Sequence, residues 1–260
     1  MKRRKKRRKG LFKKKSFYGI VFAVIILSIA FIYSAQHSTQ NQTISQTFQF
    51  KAAIIDHLSP TAPNQTFIQT ATNTLKTAGF TVDYYPSEKV NVELCRKLPT
   101  HGYGLIILRV HSALQLGRRP PVCLFTSEPY SQMKYVYEQL TGQVGIVTFL
   151  YHEEEPPYFG ISPKFIRSMN ERFSNTIVIM MGCDGLTYTD MAEAFIEKGA
   201  KVYISWNGSV SASHTDQATT QLLRHLITEN QTIKQAVTET MKEVGPDPEY
   251  ESILQYYPDV

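Results

Sequence analysis

The stretch that most constrains the fold is Thr176-Ile-Val-Ile-Met-Met-Gly-Cys-Asp-Gly185. Its unbroken apolar run, Ile177 to Met181, predicts a central strand of a parallel sheet covered on both faces, because a strand with one wet face would alternate. Gly182-Cys183-Asp184-Gly185 then falls at the carboxyl end of that strand, where open α/β sheets place their chemistry. The two glycines let the backbone turn sharply and admit a close neighbour, so the Cys183 thiol is expected at the floor of a cleft.

A second apolar run, Gly104 to Val110, ends in His111-Ser112. Neighbouring parallel strands lie about 5 Å apart, so if the two runs pair, His111 and Cys183 face each other across one crevice. An unassisted thiol has a pKa of ~8.5, and a histidine partner raises its thiolate fraction. His101 also carries a following glycine, but it precedes its strand and is expected at the opposite end of the sheet.

The rest of the domain reads as strands alternating with helices. Lys51 to Leu58 is the first strand and Asn64 to Ala78 the first helix, stopped by Gly79. Thr81 to Tyr85 is a strand and Val92 to Leu98 a short helix. Val122 to Thr126 and Val144 to Tyr151 are expected to form an added hairpin around a helical Tyr130 to Leu140. Ser162-Pro163 opens a helix to Phe173. After Cys183 come a helix from Met191 to Lys198, a strand from Lys201 to Trp206, helices over Ser213 to Glu229 and Thr232 to Val244, and a Pro-rich tail. This order implies right-handed crossovers and a mainly parallel sheet in a three-layer α/β/α sandwich.

The charge balance separates the domain from what precedes it. The net charge of +6 suggests nucleic acid, but eleven Lys and Arg lie between Lys2 and Lys15, leaving 17 against 22 acids. The remainder is acidic, so no nucleic-acid partner is expected. Residues 1–16 read as a basic cytoplasmic tail and residues 17–35 as a transmembrane anchor, since at ~1.5 Å per residue the run from Phe17 to Tyr33 just crosses a hydrocarbon layer of ~27–30 Å. A cleavable signal peptide has a shorter apolar core and small residues where Tyr33 stands. The positive-inside rule puts the amino terminus in the cytoplasm, and a polar stalk over 36–49 then leads to an extracytoplasmic domain over 50–260. Sequons at Asn41, Asn64, Asn207 and Asn230 agree with that location, which also permits a Cys95 to Cys123 disulfide. The Glu153 to Glu155 run reads as a solvated loop, and His152 and His214 as exposed residues. No Ser/His/Asp elbow, His-rich metal site or Gly-rich phosphate loop is present, so neither metal nor cofactor is expected.

Two apolar strands ending in a histidine and then a cysteine resemble the caspase-fold cysteine peptidases: caspases, gingipains, clostripain, legumain and separase. In that group the histidine is followed by glycine and the cysteine is commonly preceded by alanine, where this chain has Ser112 and Gly182. The resemblance implies Cys183 as nucleophile, His111 as general acid and base, and the backbone N–H groups of Cys183 and Ser112 as the oxyanion hole. It also assigns the strand after the cysteine helix, with its exit loop, to the pocket for the residue before the scissile bond. Trp206 is then a wall of that pocket beside Asn207, and Asp216 a partner for a basic substrate side chain. A second reading of Asp216 places it in the first turn of a helix capped by Ser213, where the dipole favours a carboxylate. The function implied is a membrane-anchored cysteine endopeptidase acting on a peptide or protein substrate; the alternative is an inactive relative that binds a peptide or protein in the same cleft.

Overall fold

In the computed structural model, residues 50–114, 121–148 and 156–259 are described. The predicted basic tail, membrane span and stalk, His152 and the Glu153 to Glu155 run lie outside the described residues. Among the described residues no helix is long and apolar enough to cross a membrane.

Among the described residues, ten strands and seven α-helices follow one another in chain order: β1 (Lys51–Asp56), α1 (Gln65–Thr77), β2 (Thr81–Pro86), α2 (Val92–Lys97), β3 (Leu105–Arg109), β4 (Ser112–Leu114), β5 (Val122–Pro129), α3 (Val136–Leu140), β6 (Val144–Val147), β7 (Tyr158–Ile161), α4 (Pro163–Ser168), β8 (Thr176–Met180), α5 (Asp190–Glu197), β9 (Ala200–Trp206), α6 (Ala212–Leu223), α7 (Ile233–Val244) and β10 (Leu254–Tyr257). A six-stranded sheet runs β10-β9-β8-β3-β1-β2, parallel throughout except for β10. It is the mainly parallel α/β sheet that the sequence predicts.

The unbroken apolar runs follow from burial on both faces. Along β8, Val178 and Met180 join one core with α2, α4 and α5, while Ile177 and Ile179 join the opposite core with α1, α6 and α7. Polar residues at the strand starts do not disturb this; the Thr176 hydroxyl, for example, donates to the Tyr103 carbonyl at 2.6 Å. Burial of one leucine- or isoleucine-sized side chain stabilises by ~1.5–3 kcal/mol, so the paired faces of the central strands dominate the driving force.

Five expectations about elements are corrected. The strands around Val122 and Val144 do not form a hairpin: β7 lies between β5 and β6, giving a second, antiparallel sheet β4-β5-β7-β6. Gly160 of β7 makes that insertion feasible, since a Cβ there would lie 2.5 Å from Cys123 Sγ. Helix α3 shrinks to Val136–Leu140 where a helix was expected from Tyr130, and α4 ends at Ser168 rather than Phe173. Helix α6 gives way after Leu223 to a π-turn over Arg224–Thr228. The Pro-rich tail contains β10, which pairs antiparallel with β9 in the register Leu254↔Trp206. Cys95 and Cys123 are not joined: Cys95 packs in the core with Leu124, whereas Cys123 points to the other face of β5 with Phe125.

Candidate active site

The two apolar runs are neighbours. β3 and β8 pair in parallel from Leu105↔Ile177 to Leu108↔Met180, so His111, two residues past β3, and Cys183, three past β8, follow the same ends of adjacent strands. The Met181 N–H still donates to the Leu108 carbonyl at 2.9 Å, so the strands remain paired as they approach the site. His101 lies before β3, in the 3-10 turn Leu98–His101 at the far end of the sheet.

Past the strands the two exits are locked together by the departures from the caspase-fold pattern. The Ser112 hydroxyl donates to the Cys183 carbonyl at 2.6 Å. A Cβ on residue 182 would sit 2.4 Å from that hydroxyl oxygen and 2.5 Å from the Val110 carbonyl oxygen. Ser112 therefore occupies space that an alanine before the cysteine would need, and Gly182 leaves it vacant. Gly185 plays the same part on the other side, where a Cβ would meet Ser205 Oγ at 2.0 Å. Between them Asp184 holds a left-handed φ of 59°, and this turns the chain out of the sheet directly after the cysteine.

Ser112 also opens β4, in register with Leu124 of β5. One residue earlier, the Phe125 N–H donates to the His111 carbonyl at 2.9 Å. Antiparallel ladders alternate, so Ser112↔Leu124 is a non-hydrogen-bonded pair and the Ser112 N–H is turned away from β5.

His111 is half-buried, and its Nε2 lies 3.3 Å from Thr61 Oγ1. Its backbone N–H reaches the Nδ1 of buried His57 at 3.5 Å, and the two rings meet edge to face with centroids 5.6 Å apart. Burial, with the neighbouring Arg109 charge, pushes the His111 pKa down to about 4. Burial and the proximity of His111 bring His57 to about 4 as well. Cys183 is half-buried; its Sγ lies 3.6 Å from the Val210 carbonyl and accepts the Val210 N–H at 3.4 Å. Burial pushes the thiol up, and the Val210 contact opposes the rise. Near neutral pH the pair therefore rests as neutral imidazole and neutral thiol.

The residues assigned to the substrate pocket are placed differently. Trp206 is fully buried, its Nε1 donating to Thr215 Oγ1 at 2.9 Å and its ring 5.3 Å from that of His214, so it is a core residue and not a pocket wall. His214 is buried too, with Nε2 3.1 Å from the Gly245 carbonyl. Asp216 lies beyond the first turn of α6, whose cap is Ser211, not Ser213. Its Oδ1 takes Arg109 Nε at 2.7 Å, and its Oδ2 takes a second Arg109 nitrogen at 2.8 Å and Asn64 Nδ2 at 2.9 Å. That carboxylate is fully engaged by the protein and does not await a substrate cation. Asn207 is half-buried beside the cysteine loop, with its side-chain oxygen accepting the Ile253 N–H at 2.9 Å.

Sequence reasoning passed over Arg109 itself. It is fully buried at the end of β3 and bonds Asp56, Asp216 and the Ala62 carbonyl, each within 2.8 Å. The one signal available was a charged residue inside an apolar strand, which demands buried partners. An apolar cavity of about 530 Å3, lined by Phe50, Phe80, Ile177 and Leu226, opens at the amino-terminal ends of the strands, the sheet end opposite Cys183.

Fold and site thus define an α/β domain with a histidine and a cysteine at the carboxyl ends of adjacent parallel strands. No family model matches the chain, and no curated protein matches it. Among solved structures the chain is similar to the Arg-specific cysteine proteinase gingipain R, at 10% identity and a TM-score of 0.48 over 78% of this chain and 44% of that one. It is also similar to the complex of the Porphyromonas gingivalis RgpB pro- and mature domains, at 10% identity and a TM-score of 0.49 over 79% of this chain and 46% of that one. The chain spans less than half the length of either.

Proposed function

We propose that this chain is a cysteine endopeptidase of the caspase-like type, with Cys183 as nucleophile and His111 as acid and base. The observation that supports the reading is the parallel pairing of β3 and β8, whose carboxyl ends lead into residues 111 and 183, with the Ser112 hydroxyl hydrogen-bonded to the Cys183 carbonyl.

Because both partners rest neutral, proton transfer accompanies attack. As the S–C bond forms at the scissile carbonyl, the thiol proton passes to His111, and the backbone N–H groups of Cys183 and Ser112 receive the oxyanion. The imidazolium then protonates the leaving amine, which departs with its peptide. Water enters, gives a proton to His111 and attacks the thioester, releasing the carboxylic acid and returning the proton to sulfur.

A peptide carrying a thiol-directed warhead tests this. Labelling is expected at Cys183 and is lost in His111→Ala; labelling that persists at the same rate refutes the acid and base role. The engagement of Sγ by both backbone groups of Val210 favours a second reading, in which the cleft binds a peptide without cutting it. Binding without turnover, unchanged in Cys183→Ala, would select it.

The run of basic residues before the apolar stretch from Phe17 to Tyr33 supports anchoring through residues 17–35, with the amino terminus cytoplasmic and the domain outside. Protease added to intact cells should then reach the domain. A protected domain with a digested basic tail would reverse the orientation.

A further inference from the structure

The Cys183 thiol is gripped by a segment with no regular structure of its own, residues 207–211 between β9 and α6. The grip is maintained by the C-terminal segment. Asp247 is fully buried, and its Oδ2 accepts the Ser211 N–H at 2.9 Å and the Ser211 hydroxyl at 2.8 Å. Its Oδ1 accepts the N–H groups of Glu249 and Tyr250 at 2.9 and 3.0 Å. A carboxylate has about four acceptor sites, and all are used. The same two segments are joined by Ser252 Oγ to the Ser209 carbonyl at 2.5 Å and by Asn207 N–H to the Ile253 carbonyl at 3.1 Å. On the other side, the Asp184 N–H donates to the Gly208 carbonyl at 2.8 Å, so cysteine loop, exit loop and tail form one bonded block.

We infer that Asp247 is a positioning residue for Cys183: by fixing Ser211 it holds the adjacent Val210 backbone on the thiol and makes the C-terminal segment part of the site. Its importance for turnover rests on the peptidase reading, but its effect on the thiol does not. Burial works against a charged Asp247, yet the donors from Ser211, Glu249 and Tyr250 together hold its pKa below the usual carboxylate range, so the anion is present at neutral pH.

The competing role is a local one, in which Asp247 only folds the tail around itself. The two differ at Val210, which lies next to Ser211 in the chain and is not among the hydrogen-bond partners of Asp247. In the full chain, Asp247→Asn puts an amide NH2 in place of one carboxylate oxygen, so it can no longer accept from both Ser211 and the tail N–H groups, whereas Ser211→Ala removes one donor and leaves the tail turn intact. The readouts are amide hydrogen exchange at Val210 and the rate of Cys183 alkylation by iodoacetamide. Cys95 and Cys123, both buried, report unfolding in the same sample.

Exchange at Val210 is expected to rise tenfold or more in Asp247→Asn. Cys183 alkylation is expected to rise about fivefold, because burial is the chief influence holding the thiol up, while Cys95 and Cys123 stay unreactive. Ser211→Ala is expected to give a smaller change in the same direction, and it decides the matter if Asp247→Asn exposes all three thiols. Val210 exchange and Cys183 alkylation within twofold of the parent, with Glu249 and Tyr250 deprotected, would overturn the inference. Loss of peptide cleavage in every variant, the parent included, would instead count against the peptidase reading alone.

Discussion

Burial shifts His111 and Cys183 in opposite senses, His111 downward to about 4 and Cys183 upward. In the peptidase reading the required state is neutral imidazole beside protonated thiol, so kcat/KM should rise as pH passes through about 4 and hold through neutrality. At pH 5.5 such a ring is almost wholly neutral, whereas a histidine at 6.5 would be about nine-tenths protonated. A pH profile of Cys183-dependent cleavage checks this, and an acid limb near 6.5 would mean that the ring is solvated in the working state. The two unusual neighbours of the pair are also coupled. Gly182→Ala should cost about 1–3 kcal/mol by overpacking against Ser112 and Val110. Adding Ser112→Gly should recover part of that cost, leaving the conflict with the Val110 carbonyl. Denaturant unfolding of both single variants and the double variant measures the coupling, and strict additivity would show that the hydroxyl and the missing methyl do not compete.

At the scale of elements, strand ends were legible and side-chain partners were not. Apolar runs announce a doubly covered sheet, and whatever follows them must lie at its carboxyl edge; β3 and β8, which His111 and Cys183 follow, are adjacent parallel strands. Asp216 and Trp206 were misread because their environment comes from remote chain: Asp216 meets Arg109 at a separation of 107 residues. Local reasoning could find a turn for that carboxylate but not a buried guanidinium from β3. The Arg109 cluster bolts β1, β3, the loop after β1 and α6 beneath His57 and His111. Removing one member leaves charge buried without its partner, so Asp216→Ala should lower unfolding stability by about 3–5 kcal/mol. Arg109→Met strands two carboxylates and should be at least as damaging. Neither effect depends on substrate. A fall in stability below about 1 kcal/mol, with a change in preference for basic peptides, would return Asp216 to the pocket.

For the molecule as a whole, the sheet has two edges and treats them differently. β2 is the outer parallel strand on one side, with its side chains partly exposed. On the other side β9 has the burial of an interior strand, with only Lys201 exposed, and this is possible because β10 covers its edge. The tail therefore completes the sheet and the cysteine loop in a single pass: Leu254 packs opposite Trp206, and a few residues earlier Asp247 holds Ser211. Truncation after Val244 should expose the hydrogen-bonding edge of β9 together with the apolar surface that Leu254 covers, which favours edge-to-edge association. The expected outcome is a chain that still forms the β2-β1-β3-β8 half of the sheet but associates in a concentration-dependent way, as read by sedimentation. Truncation after Pro258 leaves the β10 backbone and the Asp247 turn whole, removes the exposed bond from the Tyr256 hydroxyl to Asp259, and should leave the chain monomeric. Should the shorter chain remain monomeric with its Cys183 no more reactive than before, β9 would not need its cover, and the tail would be an appendage to a sheet already complete.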